Sequence, residues 1–71
     1  MIPIEEISVG DRVHYQPEHF TEDKYENGIV KEKRHNAVWV VYHCDGNWDN
    51  FKEYTGALTR IDDLHKGWKK L

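Results

Sequence analysis

Hydrophobic and polar residues first alternate at Val9-Gly10-Asp11-Arg12-Val13-His14-Tyr15, where Val13 and Tyr15 share one face and Arg12 and His14 the other. That period of two marks a half-buried strand, opened here by a Gly-Asp turn signal. Gln16-Pro17 stops it, because proline lacks the amide hydrogen a ladder needs. Residues 18 to 27 are polar and acidic apart from Phe20 and Tyr25, which predicts a long loop pinned by two rings. Asn27-Gly28 is a turn or bulge dipeptide, Ile29-Val30-Lys31-Glu32-Lys33 a second strand, and Arg34-His35-Asn36 a short connection. Ala37-Val38-Trp39-Val40-Val41-Tyr42-His43 is β-branched and aromatic without alternation, as in a strand covered on both faces, which places it at the centre of a sheet.

Asp45-Gly46-Asn47 predicts a hairpin turn, since both Gly and Asn tolerate positive φ, with a fourth strand running back from Trp48 and ending at Tyr54-Thr55-Gly56-Ala57. Leu58-Thr59-Arg60-Ile61 has the makings of a fifth strand, and Ile61 to Gly67 of one helical turn closed by glycine. The expected fold class is therefore mainly β, a single domain over residues 1–71 with five short antiparallel strands and a short C-terminal helical turn. A sheet this small hides its edges best by curling into a barrel. A turn-led first strand, a long loop, three meandering strands and a late helical turn resemble the order of an SH3-like or Tudor-like barrel.

Composition sharpens this picture in two respects. A chain of 71 residues with 38% hydrophobic and 13% aromatic content has a small core. Only about 60% of the unfolded surface can be buried at this size, so each buried ring, at roughly 1.5 to 3 kcal/mol, matters. One cysteine cannot form an internal disulfide, which fits a reducing compartment. There is no run of about 18 apolar residues and no signal-peptide pattern at the start, so a cytoplasmic chain without a membrane span is expected. The net charge of −3 is spread over mixed patches: Glu18, Glu22, Asp23 and Glu26 against Lys24, then Lys31, Lys33 and Arg34, then Lys66, Lys69 and Lys70. Such interspersion is ordinary for a solvated surface.

Candidate chemistry gathers in VVYHCDGNWDNFKEYTG, residues 40 to 56. His43 and Cys44 are neighbours, but neighbours on a strand point to opposite faces, so a thiolate–imidazole pair is not expected. His14, His19, His35, His43 and His65 are scattered without a metal-ligand motif, and no metal or other cofactor is expected. Asp45 is explained by its turn, and Asp62-Asp63 by the first turn of the helical segment. No catalytic residue is assigned. Trp48, Phe51 and Tyr54 are spaced by three; a strict strand would separate Phe51 from the other two, whereas a bulge or helical bend would unite all three. These rings either complete the core or line an exposed groove where they stack on a ligand. Tyr15, Tyr42, Trp48, Asp49, Asn50, Phe51, Tyr54 and Arg60 are the candidate binding residues.

The segments VGDRVHYQP, ENGIVKE, VWVVYHC, WDNFKEYTGALT and DLHKGW together resemble a group of small proteins encoded by bacteriophages and prophages. The similarity covers nearly all of the chain after Ile7 and is most distinctive from Trp48 to Thr59 and at Gly67-Trp68. It carries over no catalytic residues and implies a short phage accessory protein acting in bacterial cytoplasm. The leading expectation is a non-enzymatic module that meets a host or phage protein through the aromatic and acidic hairpin from Tyr42 to Tyr54, since exposed rings dominate interfaces. An alternative is capture of a nucleotide-like small molecule, with the rings stacking and Lys52, Arg60 or Lys66 meeting phosphate. A second alternative is nucleic-acid binding by the Lys31-Lys33-Arg34 edge and the C-terminal lysines, which requires more cations than acids along one face. Exposed strand edges also leave a homo-oligomer open.

Overall fold

The alternation near the start of the chain does form a strand: β1 (Arg12–Tyr15) buries Val13 and leaves Arg12 exposed. This computed structural model describes residues 2–35 and 37–70. In it β1 joins β2 (Glu26–Arg34), β3 (Ala37–Val41), β4 (Ala57–Arg60) and β5 (Leu64–Lys66) in one five-stranded antiparallel sheet of order β4-β3-β2-β1-β5. Short 3-10 segments at Ile4–Glu6, Trp48–Glu53 and Ile61–Asp63 make the remaining regular structure. The expected long acidic loop falls between β1 and β2, and its two rings are anchored as anticipated. Phe20 packs edge-on against Tyr15 at 5.6 Å, and the Lys69 ammonium sits 5.6 Å from the Tyr25 ring.

Four local expectations need correction. Asn27-Gly28 makes no turn but lies inside β2. The irregularity in the β2–β3 ladder falls between Val30 and Glu32 instead. The central strand is β2, not β3, because its nine residues are long enough to pair with β1 at one end and β3 along most of their length. The Asp45-Gly46 bend is present, with φ of 52° and 81°, yet no strand follows it. Trp48–Glu53 coils into a 3-10 segment, and the fourth strand is Ala57–Arg60. Finally, the turn after β4 is a single one at Ile61–Asp63, after which the chain extends again as β5 and Gly67, at φ 80°, ends that strand. The connection containing Asn36 lies outside the described residues.

The connection between β4 and β5 bends the sheet. These strands stand at opposite ends of the strand order, yet only Ile61–Asp63 separates them in sequence. Laid flat, the two edges would be about 19 Å apart at about 4.8 Å per strand. A three-residue 3-10 turn rises only about 6 Å. The sheet therefore curls, although among the described residues no ladder joins β4 to β5.

Inside the curl lies the core: Ile2, Ile7, Val13, Val30, Val38, Val40 and Leu64, flanked by Ile4, Tyr15, Tyr42 and Ile61. A second buried group, Ile29, Val41 and Cys44, stands apart from that cluster. Ile29 pairs with Val41, and Val30 with Val40, so the first pair points to the opposite face of the sheet from the second. The outer pair is buried because Trp48–Glu53 packs against β2. That explains the unbroken apolar run of β3: it has a core on one face and a lid on the other.

Candidate functional site

The sheet curl brings the end of β1, the end of β3 and the whole of β4 to one surface. Tyr15 is the last residue of β1 and Tyr42 the first after β3, and their rings meet edge to face at 6.2 Å. Arg60 closes β4 beside them. These three line a cleft of about 410 Å³ together with Glu26, Ala57, Leu58, Thr59 and Asp63. A second, adjoining depression of about 680 Å³ shares Tyr15, Arg60 and Asp63 and extends along the loop over Gln16, Pro17, Glu18 and His19 to Asp62 and His65.

Hydrogen bonds hold this wall in place. Tyr42 Oη and Thr59 Oγ1 are 2.8 Å apart, and the Thr59 hydroxyl donates to the Ala57 carbonyl at 3.2 Å. A hydroxyl carries one proton, so Tyr42 donates to Thr59 and the relay runs from Tyr42 through Thr59 to Ala57. Thr59 is the buried polar residue of the described chain, and the relay satisfies it. His65 Nε2 lies 3.2 Å from the Gln16 carbonyl and His14 Nδ1 2.8 Å from that of Gly67. A carbonyl only accepts, so each of these ring nitrogens bears the proton, and the two imidazoles stack at 5.1 Å. Across the loop, the Lys69 ammonium donates to Gln16 Oε1 at 3.1 Å and to the Glu22 carbonyl at 2.8 Å. The Lys69 backbone exchanges two 2.9 Å bonds with the side chain of Asn27.

The cleft is electrically lopsided. Arg60 is its cation and is engaged by Asp62 at 3.3 Å, an exposed pair of small energetic weight. Glu26 faces His43 at 3.9 Å, an ion pair only when that imidazole is protonated. The Asp63 carboxylate has no hydrogen bond or ion pair among the described residues. Burial of Tyr42 pushes its phenol up to about 12, against the opposing pull of its bond to Thr59, with Glu26 adding to the rise. A raised native value means the unfolded chain ionises first, near 10. Stability should therefore be intact below pH 10 and decline from there to about 12 by on the order of 1 kcal/mol, the ring being partly exposed. Denaturant titrations across that range, compared with Tyr42→Phe, check this; the variant should lose that share of the decline.

The remaining candidates lie elsewhere. Trp48, Asp49, Asn50 and Phe51 occupy the 3-10 segment and Tyr54 follows it, outside the Tyr15–Tyr42 cleft. The segment is kinked at Asn50 (φ −110°, ψ 27°), between Trp48 and Phe51. Trp48 meets Trp68 with ring centroids 4.9 Å apart and planes inclined at 55°, the Arg12 guanidinium lies 4.5 Å from the Trp68 ring, and Trp68 Nε1 donates to the Gly28 carbonyl at 2.8 Å. Trp48 and Phe51 are half-buried in the segment that packs against β2. Asp49 and Asn50 are exposed. The Tyr54 hydroxyl accepts from Asn47 Nδ2 at 3.1 Å, and its carbonyl accepts from the Lys31 ammonium. Cys44 is a free, buried thiol.

Sequence reasoning did not single out Glu26, Leu58, Thr59 and Asp63. A usable signal for Leu58 existed, an apolar residue alternating with Thr59 in a strand beside a charged turn. Glu26 is located only by register, opposite Tyr15 on β1. Among the described residues no group of three His, Cys, Asp or Glu could hold a metal ion, and no helix is long and apolar enough to cross a membrane.

Fold and site together define a small, strongly bent antiparallel β protein with an aromatic and acidic cleft beside an exposed edge strand. The chain matches no protein-family model, no curated protein and no solved structure.

Proposed function

We propose that this chain is a non-enzymatic, SH3-like interaction module that binds a protein partner at the cleft of Tyr15, Tyr42, Leu58 and Arg60. The observation that carries the proposal is the convergence of three separate strands on one open aromatic surface, with Leu58 left 65% exposed at its rim. A large apolar side chain in that position adds area to an interface. Support for the barrel class comes from the strand order and from the single 3-10 turn that joins the two edge strands. The resemblance to small phage proteins supports a host or phage protein as the partner, in bacterial cytoplasm.

The other two readings have less behind them. Glu18, Glu26, Asp62 and Asp63 surround the two depressions against Arg60, a field that repels the phosphate of a nucleotide. Four of the cations that a nucleic acid would need are already bonded within the chain. Lys31 reaches the Tyr54 carbonyl, Lys33 that of Ile7 at 2.8 Å, Lys66 the Glu6 carboxylate, and Lys69 the loop.

The test is capture of partners from phage-infected bacterial lysate by the wild type and by Leu58→Asp and Arg60→Glu, both at exposed side chains. Each variant is expected to keep its circular dichroism spectrum and to lose the proteins that wild type retains. Asp49→Ala should retain them. Unchanged capture by both cleft variants would refute the proposal.

A further inference from the structure

We infer that β4 is the edge at which a partner segment joins the sheet as an added strand, sending basic side chains into the Tyr15–Tyr42 cleft and apolar ones into a second cleft on the other side of β4. This rests on the reading of the chain as a protein-binding module and specifies how the partner docks.

β4 stands at the end of the strand order, with β3 as its strand neighbour among the described residues. An edge of this kind offers backbone amides and carbonyls to a newcomer. Two clefts of about 410 Å³ flank it, and both are bordered by Leu58, Thr59 and Arg60. The pairing fixes which side each occupies. Thr59 is opposite Val38, a core residue, and so faces inward toward Tyr42, to which it is bonded. Leu58 is opposite Trp39 and Arg60 opposite Ala37, which puts them on the outer face. The inner cleft adds Tyr15, Tyr42, Glu26, Ala57 and Asp63; the outer adds Ala37, Ile61 and Asp62.

Successive side chains of an added strand point to opposite faces, so alternate ones enter the two clefts. The inner cleft offers tyrosine faces and the carboxylates of Glu26 and Asp63, the latter without an ion pair among the described residues, which suits Lys or Arg. In the outer cleft the Asp62 carboxylate is already engaged by Arg60 at 3.3 Å, and the rest of the wall offers Ala37, Leu58 and Ile61, which suits Val, Ile or Leu. The occupant is therefore an extended segment in which basic and apolar residues alternate. The opposite edge is blunted against such pairing: β5 has three residues, its Lys66 is held by Glu6, and Gly67 turns the chain away at positive φ.

The probe is a blocked peptide, Thr-Lys-Val-Arg-Val-Lys-Thr, titrated into the ¹⁵N-labelled chain. Two analogues, N-methylated at odd or at even positions, accompany it. Binding is expected to slow amide exchange along Ala57–Arg60, and one analogue of the two should bind about tenfold more weakly or worse, having lost the hydrogen bonds to β4. If both analogues bind as well as the parent, with shifts confined to the cleft side chains, the added strand is refuted while the protein-binding module stands. Amide protection on β4 that appears without peptide and grows with protein concentration would refute it in favour of a second copy. Absence of any peptide binding, with β4 amides exchanging freely, also overturns it, and the lysate capture then decides the module reading separately.

Discussion

Gly28→Ala is expected to lower the midpoint of thermal unfolding by on the order of 10–20 °C. A Cβ at this position would lie 2.5 Å from Val40 Cγ1, 2.8 Å from the Val41 carbonyl oxygen and 2.9 Å from Tyr42 Cδ1. Side chains can give way by rotating, but a carbonyl in the next strand moves only with its ladder. Overpacking of this kind costs about 1–3 kcal/mol or more, and in a domain this small each kcal/mol is worth about 4–8 °C. The effect should exceed that of a glycine-to-alanine change made for conformational freedom alone, because Gly28 is required by crowding and not by an unusual φ. It also carries the carbonyl that anchors Trp68, so lid and strand are disturbed together. Calorimetry of wild type and variant measures this directly. A midpoint within 2 °C of wild type, well inside the about 4 °C worth of a single kcal/mol, would show that β2 and β3 can part here without penalty.

Leu64→Ala should be comparably damaging by the opposite route, removing volume from the core. Leu64 is fully buried, belongs to the central cluster and anchors β5, whose pairing is with β1 alone among the described residues. Truncating a buried leucine costs about 2–5 kcal/mol, against a total of about 4–10 kcal/mol for a chain of this size. The urea midpoint is therefore expected to fall by roughly half. Amide protection should vanish first at Leu64–Lys66 and at its partners Val13, His14 and Tyr15. Val9→Ala, at an exposed position, is the matching control and should stay within about 0.5 kcal/mol.

How far the sequence reveals this molecule depends on how local each cause is. The alternation of Arg12-Val13-His14-Tyr15, the apolar density of Ala37–Val41 and the bend at Asp45-Gly46 are all properties of a few neighbouring residues, and each is where the pattern puts it, although positive φ falls on Asp45 and Gly46 and not on Asn47. The errors share one origin, which is that the same local pattern is compatible with two tertiary outcomes. Asn27-Gly28 is a turn dipeptide in isolation, but the approach of Val40 and Val41 demands the missing side chain inside a strand. Trp48–Glu53 reads as a returning strand until the outer pair Ile29 and Val41 needs a cover, and a spacing of three then suits a 3-10 coil. The cleft divides the same way. Tyr15, Tyr42 and Arg60 are legible as candidate binding residues, whereas their meeting with Glu26 and Asp63 depends on a register and a curl that no local pattern records. The rings of Trp48 and Phe51 were equally legible as candidates, and the structure uses them to seal the outer face.

The bonds from Lys69 to Gln16, Glu22 and Asn27 bear on more than the tidiness of the tail. The loop they lash down is the floor beside the aromatic cleft, so its conformational freedom has been surrendered during folding and not at the moment of encounter. In the docking we propose, an arriving segment meets a pre-shaped surface and forfeits little entropy in ordering it, so that affinity would be set by the partner's own flexibility more than by that of this chain.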